Sequence, residues 1–406
     1  MFRCYAHDGA EGMGRLVSTV YALVAMGLLC ERLLKWWLVV RFFRRSVSAL
    51  ATLPPRISIL QPILSGDPTM AACLEHNVCH ATTNVEFHWL VDEQDLPGQA
   101  ICRALMARHP QIPIHLRLLP PAPQGHNPKM FKLIAALPDA TGDLIAVLDD
   151  DTMLPTDGVA RALPSLDLPG AGLVFGLPYQ VDFSNLWSRL IAYFVNSNGL
   201  LTYLPYLALS EPFTINGMFY LLRRNTLDAL GGFSGLERTL ADDFAMAQRV
   251  RQGGYRLVQS PLCHAVSNHV AGPAAYWRLI TRWLTFPRES LLRHLSWREV
   301  ALLYGNTLIP TFAPVVLLGL AVGQQRWLPA LISGGYLLLN WVLFLGLDRR
   351  YLGGRSPLRW SWLVPVTQLL LPVQLLVAML LPQRINWRGH VMQVERGGGF
   401  RFVRRR

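Results

Sequence analysis

Charged residues disappear from three long stretches of this chain. None occurs from Val300 to Gln325, from 327 to 347, or from 360 to 383. Each stretch reaches the roughly 20 residues that a helix needs to cross a bilayer. Near the amino end, Leu16–Cys30 is uncharged and extends through Glu31 and Arg32 into Leu33–Val40, with Trp36 and Trp37 at an expected interface. The basic, aromatic segment that follows, without a small-residue cleavage site, favours a spanning helix over a removable signal. Pro365 and Pro372 interrupt the last stretch, which fits a crossing or a re-entrant element buried in protein.

Between these stretches the pattern is that of a soluble α/β domain. Residues 56–63, 85–92, 112–119 and 143–148 are apolar runs of strand length. Helical periodicity falls between them, over 69–82, 99–108 and 129–137. This alternation predicts an open, largely parallel sheet, with its site at the carboxyl ends of the strands. Residues 183–209 carry one charge, Arg189, among many aromatic residues, and are expected to lie at the membrane interface or inside the domain. The expected organisation is an anchor over 1–45, a catalytic domain over 46–298, membrane helices over 299–383 and a basic tail over 384–406.

Composition sharpens the membrane assignment. The 406 residues are 51% apolar and 16% charged, against roughly 25% charged in ordinary soluble domains. The net charge of +12 comes from arginines and lysines that flank apolar stretches. That arrangement suits anionic lipid headgroups and argues against a nucleic-acid surface. Lys35, Arg41, Arg44 and Arg45 after the first helix place residues 46–298 in the cytoplasm of a multi-pass protein, in a bacterial inner membrane or its equivalent. If the fourth stretch crosses, Arg401 and Arg404–Arg406 fall outside, against the same rule. Six cysteines show no metal-ligand spacing and read as free thiols.

Candidate chemistry gathers where strands end. The strand over 143–148 runs into Asp149-Asp150-Asp151, a concentration of like charge that a cation would offset. Asp149 and Asp151 can turn to one side as hard oxygen ligands for Mg²⁺ or Mn²⁺, with Asp150 supporting the loop; a solvated acidic turn is the alternative. Asp92 and Glu93 follow another strand and suit a nucleotide base or ribose. Asp242 and Asp243 precede a helical run, where one can cap the helix and the other act as general base. Arg278 and Arg282 share a helix face and, with Trp283, can meet a diphosphate and a substrate ring, or form a basic rim on the membrane. Lys129 stands at a helix start and can reach phosphate.

Together these motifs resemble the ceramide glucosyltransferase family, within the membrane-associated GT-A glycosyltransferases of families 2 and 21, including bacterial glycolipid or hopanoid branches. The likeness rests on GHNPKMFKL at 125–133, FGLPY at 175–179, INGMFYLLRRNTLDALGGF at 215–233 and LADDFAMAQRVRQGGYR at 240–256. NWRGHVM at 386–392 is similar to a tail motif of related enzymes, with Met392 in place of tyrosine. The resemblance implies a GT-A domain, a mixed Rossmann-like sheet, between membrane helices. It implies metal and donor diphosphate at Asp149 and Asp151, and Asp243 as base. Glu93 occupies the family's first aspartate position, with Asp92 beside it. Arg282-Trp283 fits the Arg-Trp motif, but Leu279 stands at its leading polar position. The implied reaction is inverting, non-processive transfer of a sugar, glucose foremost, from a UDP-sugar to a lipid hydroxyl such as that of ceramide. The alternatives are a polyprenyl-phosphate or hopanoid acceptor, a processive polysaccharide synthase and a noncatalytic scaffold.

Overall fold

A computed structural model describes residues 2–45, 55–286, 295–380, 384–387, 390–394 and 400–404. Arg388 and Gly389 of the NWRGHVM segment, and Arg405 and Arg406, lie outside the described residues. Helix α1 (Phe2–Arg44) continues unbroken through Glu31, Arg32 and Lys35. Those charges are settled within the helix bundle. Lys35 Nζ lies 2.6 Å from Glu31 Oε1 and donates to the Asn306 carbonyl at 2.6 Å. Arg32 pairs with Glu31 at 2.8 Å and lies over the Tyr336 ring. Pairing of this kind lets ionisable groups persist at membrane depth.

The α/β half follows, its first part in strict alternation. Its first part comprises β1 (Ile57–Ile63), α2 (Met70–Cys79), β2 (Val85–Asp92), α3 (Leu96–Arg108), β3 (Ile114–Leu119), α4 (Pro128–Ala136) and β4 (Leu144–Leu148). Then come β5 (Thr152–Met153), α5 (Gly158–Ala162), β6 (Ala171–Gln180), α6 (Leu186–Tyr206), β7 (Phe219–Arg223), α7 (Arg224–Ala229), α8 (Asp242–Gln252), β8 (Arg256–Val266) and α9 (Pro273–Phe286). The eight strands form one sheet in the order β3-β2-β1-β4-β7-β6-β8-β5. Strands β1 to β4 are parallel, while β7 runs antiparallel between β4 and β6. This is the mixed sheet expected of the GT-A class.

Both faces of the sheet are covered, which is why its strands read as unbroken apolar runs. Ala146 and Leu148 of β4 face the side packed by α2 and α3. Ile145 and Val147 face α4 and α8. Helix α6 is the seam between this half and the membrane helices. Its Tyr193 packs near Phe344 and Val364, and its Leu200 and Leu204 pack with Val39 and Leu347.

The membrane half is completed by α10 (Trp297–Gly323), α11 (Trp327–Tyr351) and α12 (Leu363–Leu380). Helix α10 begins three residues before its uncharged stretch because Ser296 and Glu299 form a reciprocal capping box. Leu16–Arg44, Trp297–Gly323 and Trp327–Tyr351 are long and apolar enough to span a membrane; α12 is shorter. The expected basic tail contains a small antiparallel sheet, β9 (Arg384–Trp387), β10 (His390–Val394) and β11 (Phe400–Arg404). Its Met392, Phe400 and Phe402 pack on Leu240 of the α/β half.

Candidate active site

The end of β4 is held before any ligand arrives. The Asp149 amide donates to the Met218 carbonyl at 2.9 Å, extending the pairing with β7. Asp150 turns back into the protein, where its buried carboxylate accepts from the Leu64 amide at 2.9 Å and fastens the end of β1. Asp149 and Asp151 line a cavity of about 930 Å³, which Asp150 also borders. The loop therefore presents Asp149 and Asp151 to the cavity on either side of an anchoring carboxylate, and carboxylate oxygens are the ligand type that a hard divalent cation takes.

Helix α4 brings a cation to this acidic end. Asn127 caps it by accepting from Lys129 N at 2.9 Å, and Pro128 supplies the first helical position. The Asn127 amide also donates to the Thr239 carbonyl at 3.2 Å and the Leu240 carbonyl at 3.3 Å, tying α4 to the loop before α8. Lys129 Nζ then sits 2.7 Å from Asp149 Oδ1 and 3.1 Å from Asp242 Oδ2. Burial opposes the charge on Lys129, but Asp149 and Asp242 outweigh it and hold its pKa well above the ordinary lysine value. Lys129 is thus a permanent cation shared by two acidic segments.

The paired aspartates of α8 diverge. Asp242 faces Lys129. Asp243 lies beside Gly217 and near enough to Tyr203 of α6 for its charge to reach the phenol. Neither caps the helix, since the cap position is Ala241; the Asp243 carboxylate accepts from the Phe244 amide at 2.7 Å. Burial, followed by the adjacent Asp242 charge, pushes the Asp243 carboxyl up to about 7. A Cβ at Gly217 would stand 2.9 Å from Asp243 Cβ, which accounts for glycine in the ING segment. Gly217→Ala should displace Asp243 and cost roughly 1–3 kcal/mol of stability, as overpacking does. Thermal unfolding of the detergent-solubilised protein checks this; an unchanged midpoint refutes the close-approach argument.

The remaining sequence candidates separate. Asp92, Lys129, Arg278, Arg282 and Trp283 border the same cavity as Asp149 and Asp151. Asp243 and Glu93 are not among its lining residues. Glu93 is exposed, because successive side chains alternate across a strand end and Asp92 takes the inward position. Asp95 is structural: it accepts from Ser65 N at 2.8 Å and Gly98 N at 3.2 Å. On α9, Leu279 lines the cavity beside the two arginines, and Trp283 stacks on Phe194 of α6 with ring centroids 6.4 Å apart.

Two contributors escaped the sequence patterns. Lys132, one helical turn beyond Lys129, is buried, lies 3.1 Å from Asp92 Oδ2 and donates to the Ile63 carbonyl at 2.9 Å. Its spacing from Lys129 was the available signal. His269, after β8, also borders the cavity; its amide donates to Asp67 at 3.1 Å, and its ring Nδ1 is 3.1 Å from Asp182. No motif marks it.

Comparison with known proteins decides the family. Residues 17–400 match the sequence profile of glycosyl transferase family 21. The chain belongs to glycosyl transferase family 21. It is therefore a glycosyltransferase, as its motifs led us to expect. Among similar proteins of this kind, ceramide glucosyltransferase 3 of Caenorhabditis elegans is 24% identical over 358 residues, covering 85% of this chain and 74% of the relative. Ceramide glucosyltransferase 1 of the same organism is 22% identical, covering 59% of this chain and 51% of the relative. Beta-monoglucosyldiacylglycerol synthase of Synechocystis is 26% identical, covering 64% and 56% respectively; these last two matches span little more than half of each relative. Mannosyltransferase PcManGT from Pyrobaculum calidifontis, solved with GDP-Man and Mn²⁺, superposes with a TM-score of 0.48 at 17% identity, covering 88% of this chain and 99% of that one.

Proposed function

We propose that this family 21 enzyme transfers a sugar, glucose foremost, from a UDP-sugar to the hydroxyl of a membrane lipid such as ceramide, once per encounter and with inversion. The observation that carries the proposal is the cavity itself. One wall holds Asp149 and Asp151, and another is α9, a helix that packs on α6 through Trp283 and Phe194. Gln374 of α12 donates to the Tyr276 hydroxyl of α9 at 2.7 Å, joining that wall to the apolar helices. A water-soluble donor and a lipid acceptor can therefore reach one place.

In this reading Asp149 and Asp151 hold Mg²⁺ or Mn²⁺, which would neutralise charge on the donor diphosphate. Lys129, Arg278 and Arg282 supply further positive charge toward the leaving group, and Asp92 meets the nucleoside. Asp243 stands behind the cavity lining, next to Asp242, whose partner Lys129 borders it; in this reading it removes the acceptor proton as the hydroxyl oxygen bonds to the anomeric carbon. The bond from that carbon to the diphosphate breaks, and its electron pair leaves with UDP. A screen of nucleotide sugars against ceramide, diacylglycerol, hopanoid and polyprenyl-phosphate acceptors, read by product mass, tests donor, acceptor and processivity together. Transfer only to a polyprenyl phosphate, or formation of a polymer, would overturn the proposal.

The same reading sets a topology. Helices α1, α10 and α11 cross, leaving the catalytic half in the cytoplasm, and α12 does not cross. Support comes from both flanks of α12: Tyr193 of α6 donates to the Pro357 carbonyl at 2.5 Å on one side, and the small sheet packs on Leu240 on the other. Cysteines placed at the exposed positions Leu96 and Val403, in a background without Cys4, Cys30 and Cys79, should react with an impermeant maleimide from the same, inner side. Labelling from opposite sides would make α12 a crossing helix.

A further inference from the structure

We propose that Arg404, brought to the cavity by the last strand, binds the diphosphate of the sugar donor, which makes the carboxyl-terminal sheet part of the active site. The inference rests on the donor reading above and extends it to a segment that charge patterning alone assigns to lipid headgroups. Arg404 borders the same cavity as Asp149, Asp151, Arg278 and Arg282. It is far from all of them in sequence, so its position there is a product of the fold.

The sheet is fixed to the catalytic half by apolar contact. Met392, buried on β10, and Phe400, buried on β11, pack with Phe402 against Leu240. Leu240 immediately precedes Ala241 and the Asp242–Asp243 pair, and its carbonyl accepts from the Asn127 amide that caps α4. The sheet thus rests on the loop that joins the Lys129 helix to the aspartates. The β10–β11 register shifts beside Met392, where Val391 pairs with Arg404 and Met392 with Phe402. An irregularity of this type commonly re-aims a side chain near an active site.

Charge explains why an arginine is useful at this position. Much of the charge on Lys129 is already offset by Asp149 and Asp242, and that on Lys132 by Asp92. The cavity's other cations, Arg278, Arg282 and Arg404, come from α9 and β11. A guanidinium presents a planar fork of donors that matches phosphate oxygens and keeps its charge at every working pH. As UDP leaves, its terminal phosphate gains the electron pair of the broken bond, and a cation beside it favours that charge.

The test uses the full chain in detergent with Mn²⁺, and Arg404→Gln beside Arg401→Gln. Arg401 is exposed on the same strand and is not a cavity-lining residue, so its variant removes equal charge from the sheet. Affinities for UDP, inorganic pyrophosphate and uridine are measured by calorimetry. Arg404→Gln should weaken UDP and pyrophosphate by about 10-fold or more, leave uridine unchanged, and raise the donor KM without moving the acceptor KM. Arg401→Gln should change none of these. Equal pyrophosphate affinity in Arg404→Gln and the wild-type protein would overturn the proposal, as would an equal loss in Arg401→Gln. If the wild-type protein binds pyrophosphate but not UDP, the uridine-nucleotide reading fails, while loss of pyrophosphate in Arg404→Gln still supports a diphosphate site. Arg404→Lys, which keeps charge but loses the fork, should fall between; a simultaneous loss of uridine affinity would mark a collapsed sheet and count against a direct contact.

Discussion

Asp151→Asn should lower sugar transfer by roughly 10²-fold or more and weaken Mn²⁺-dependent UDP binding, while the protein still inserts and folds. The substitution removes a charged oxygen ligand and half of the flanking carboxylate pair. The local fold should stay in place, because two of the contacts that hold this residue do not need the charge. Its backbone carbonyl accepts from the Ser267 amide at 2.8 Å, and its side-chain oxygen accepts from the Thr152 hydroxyl at 3.3 Å; asparagine can do the same. Asp150→Asn is the informative neighbour. Its carboxylate serves the Leu64 amide, so that variant should retain metal response. Metal titration of UDP binding on both variants separates the roles. Unaltered metal dependence in Asp151→Asn would remove this residue from the metal site.

The sheet and the acidic strand end were legible because they are encoded by local pattern. Both faces of β1, β2 and β4 are covered, so their apolar runs stand out, and Asp149–Asp151 interrupts such a run abruptly. Helix α3 begins at Leu96, three residues before the expected Gln99, because Asp95 caps it from a turn that also carries Pro97. What the pattern could not supply was pairing between distant segments. The antiparallel insertion of β7 depends on its neighbours β4 and β6, and no period within FYLLR reveals it. The ion pair of Lys132 with Asp92 joins two elements whose residues look ordinary alone. The small carboxyl-terminal sheet has strands of four and five residues with abundant arginine, so charge conceals them. The choice between Asp92 and Glu93 needed only the true end of β2 and the alternation of its side chains.

Asp243→Asn should leave UDP binding in place while transfer at saturating donor and acceptor falls by at least roughly 10²-fold, the scale of losing a general base. Asn keeps the side-chain size and can still accept from the Phe244 amide, as Asp243 does at 2.7 Å. What it loses is basicity. Burial and the neighbouring Asp242 charge lift the Asp243 carboxyl to about 7, against the weaker downward pulls of the Phe244 amide and Lys129. The active carboxylate form is therefore about half populated at pH 7 and nearly complete by about pH 8, so the wild-type rate should climb through about pH 6 to 8 and then level. Asp243→Asn should lose that limb along with the rate. Stability moves the opposite way. A folded-state carboxyl raised above its ordinary value holds a proton that the unfolded chain has released, so folding weakens as pH rises from about 4 to 7. Asn removes the titration, and Asp243→Asn should unfold at a higher temperature than wild type at pH 7.5, with the advantage shrinking near pH 4. Asp242→Asn supplies the contrast. Asp242 is held 3.1 Å from Lys129, so its loss should appear as a change in donor affinity, with the pH limb kept but moved to lower pH because the Asp242 charge no longer lifts Asp243. Retention of more than about half the wild-type rate in Asp243→Asn would sink the base assignment, and an exchange of the two phenotypes would move the base to Asp242.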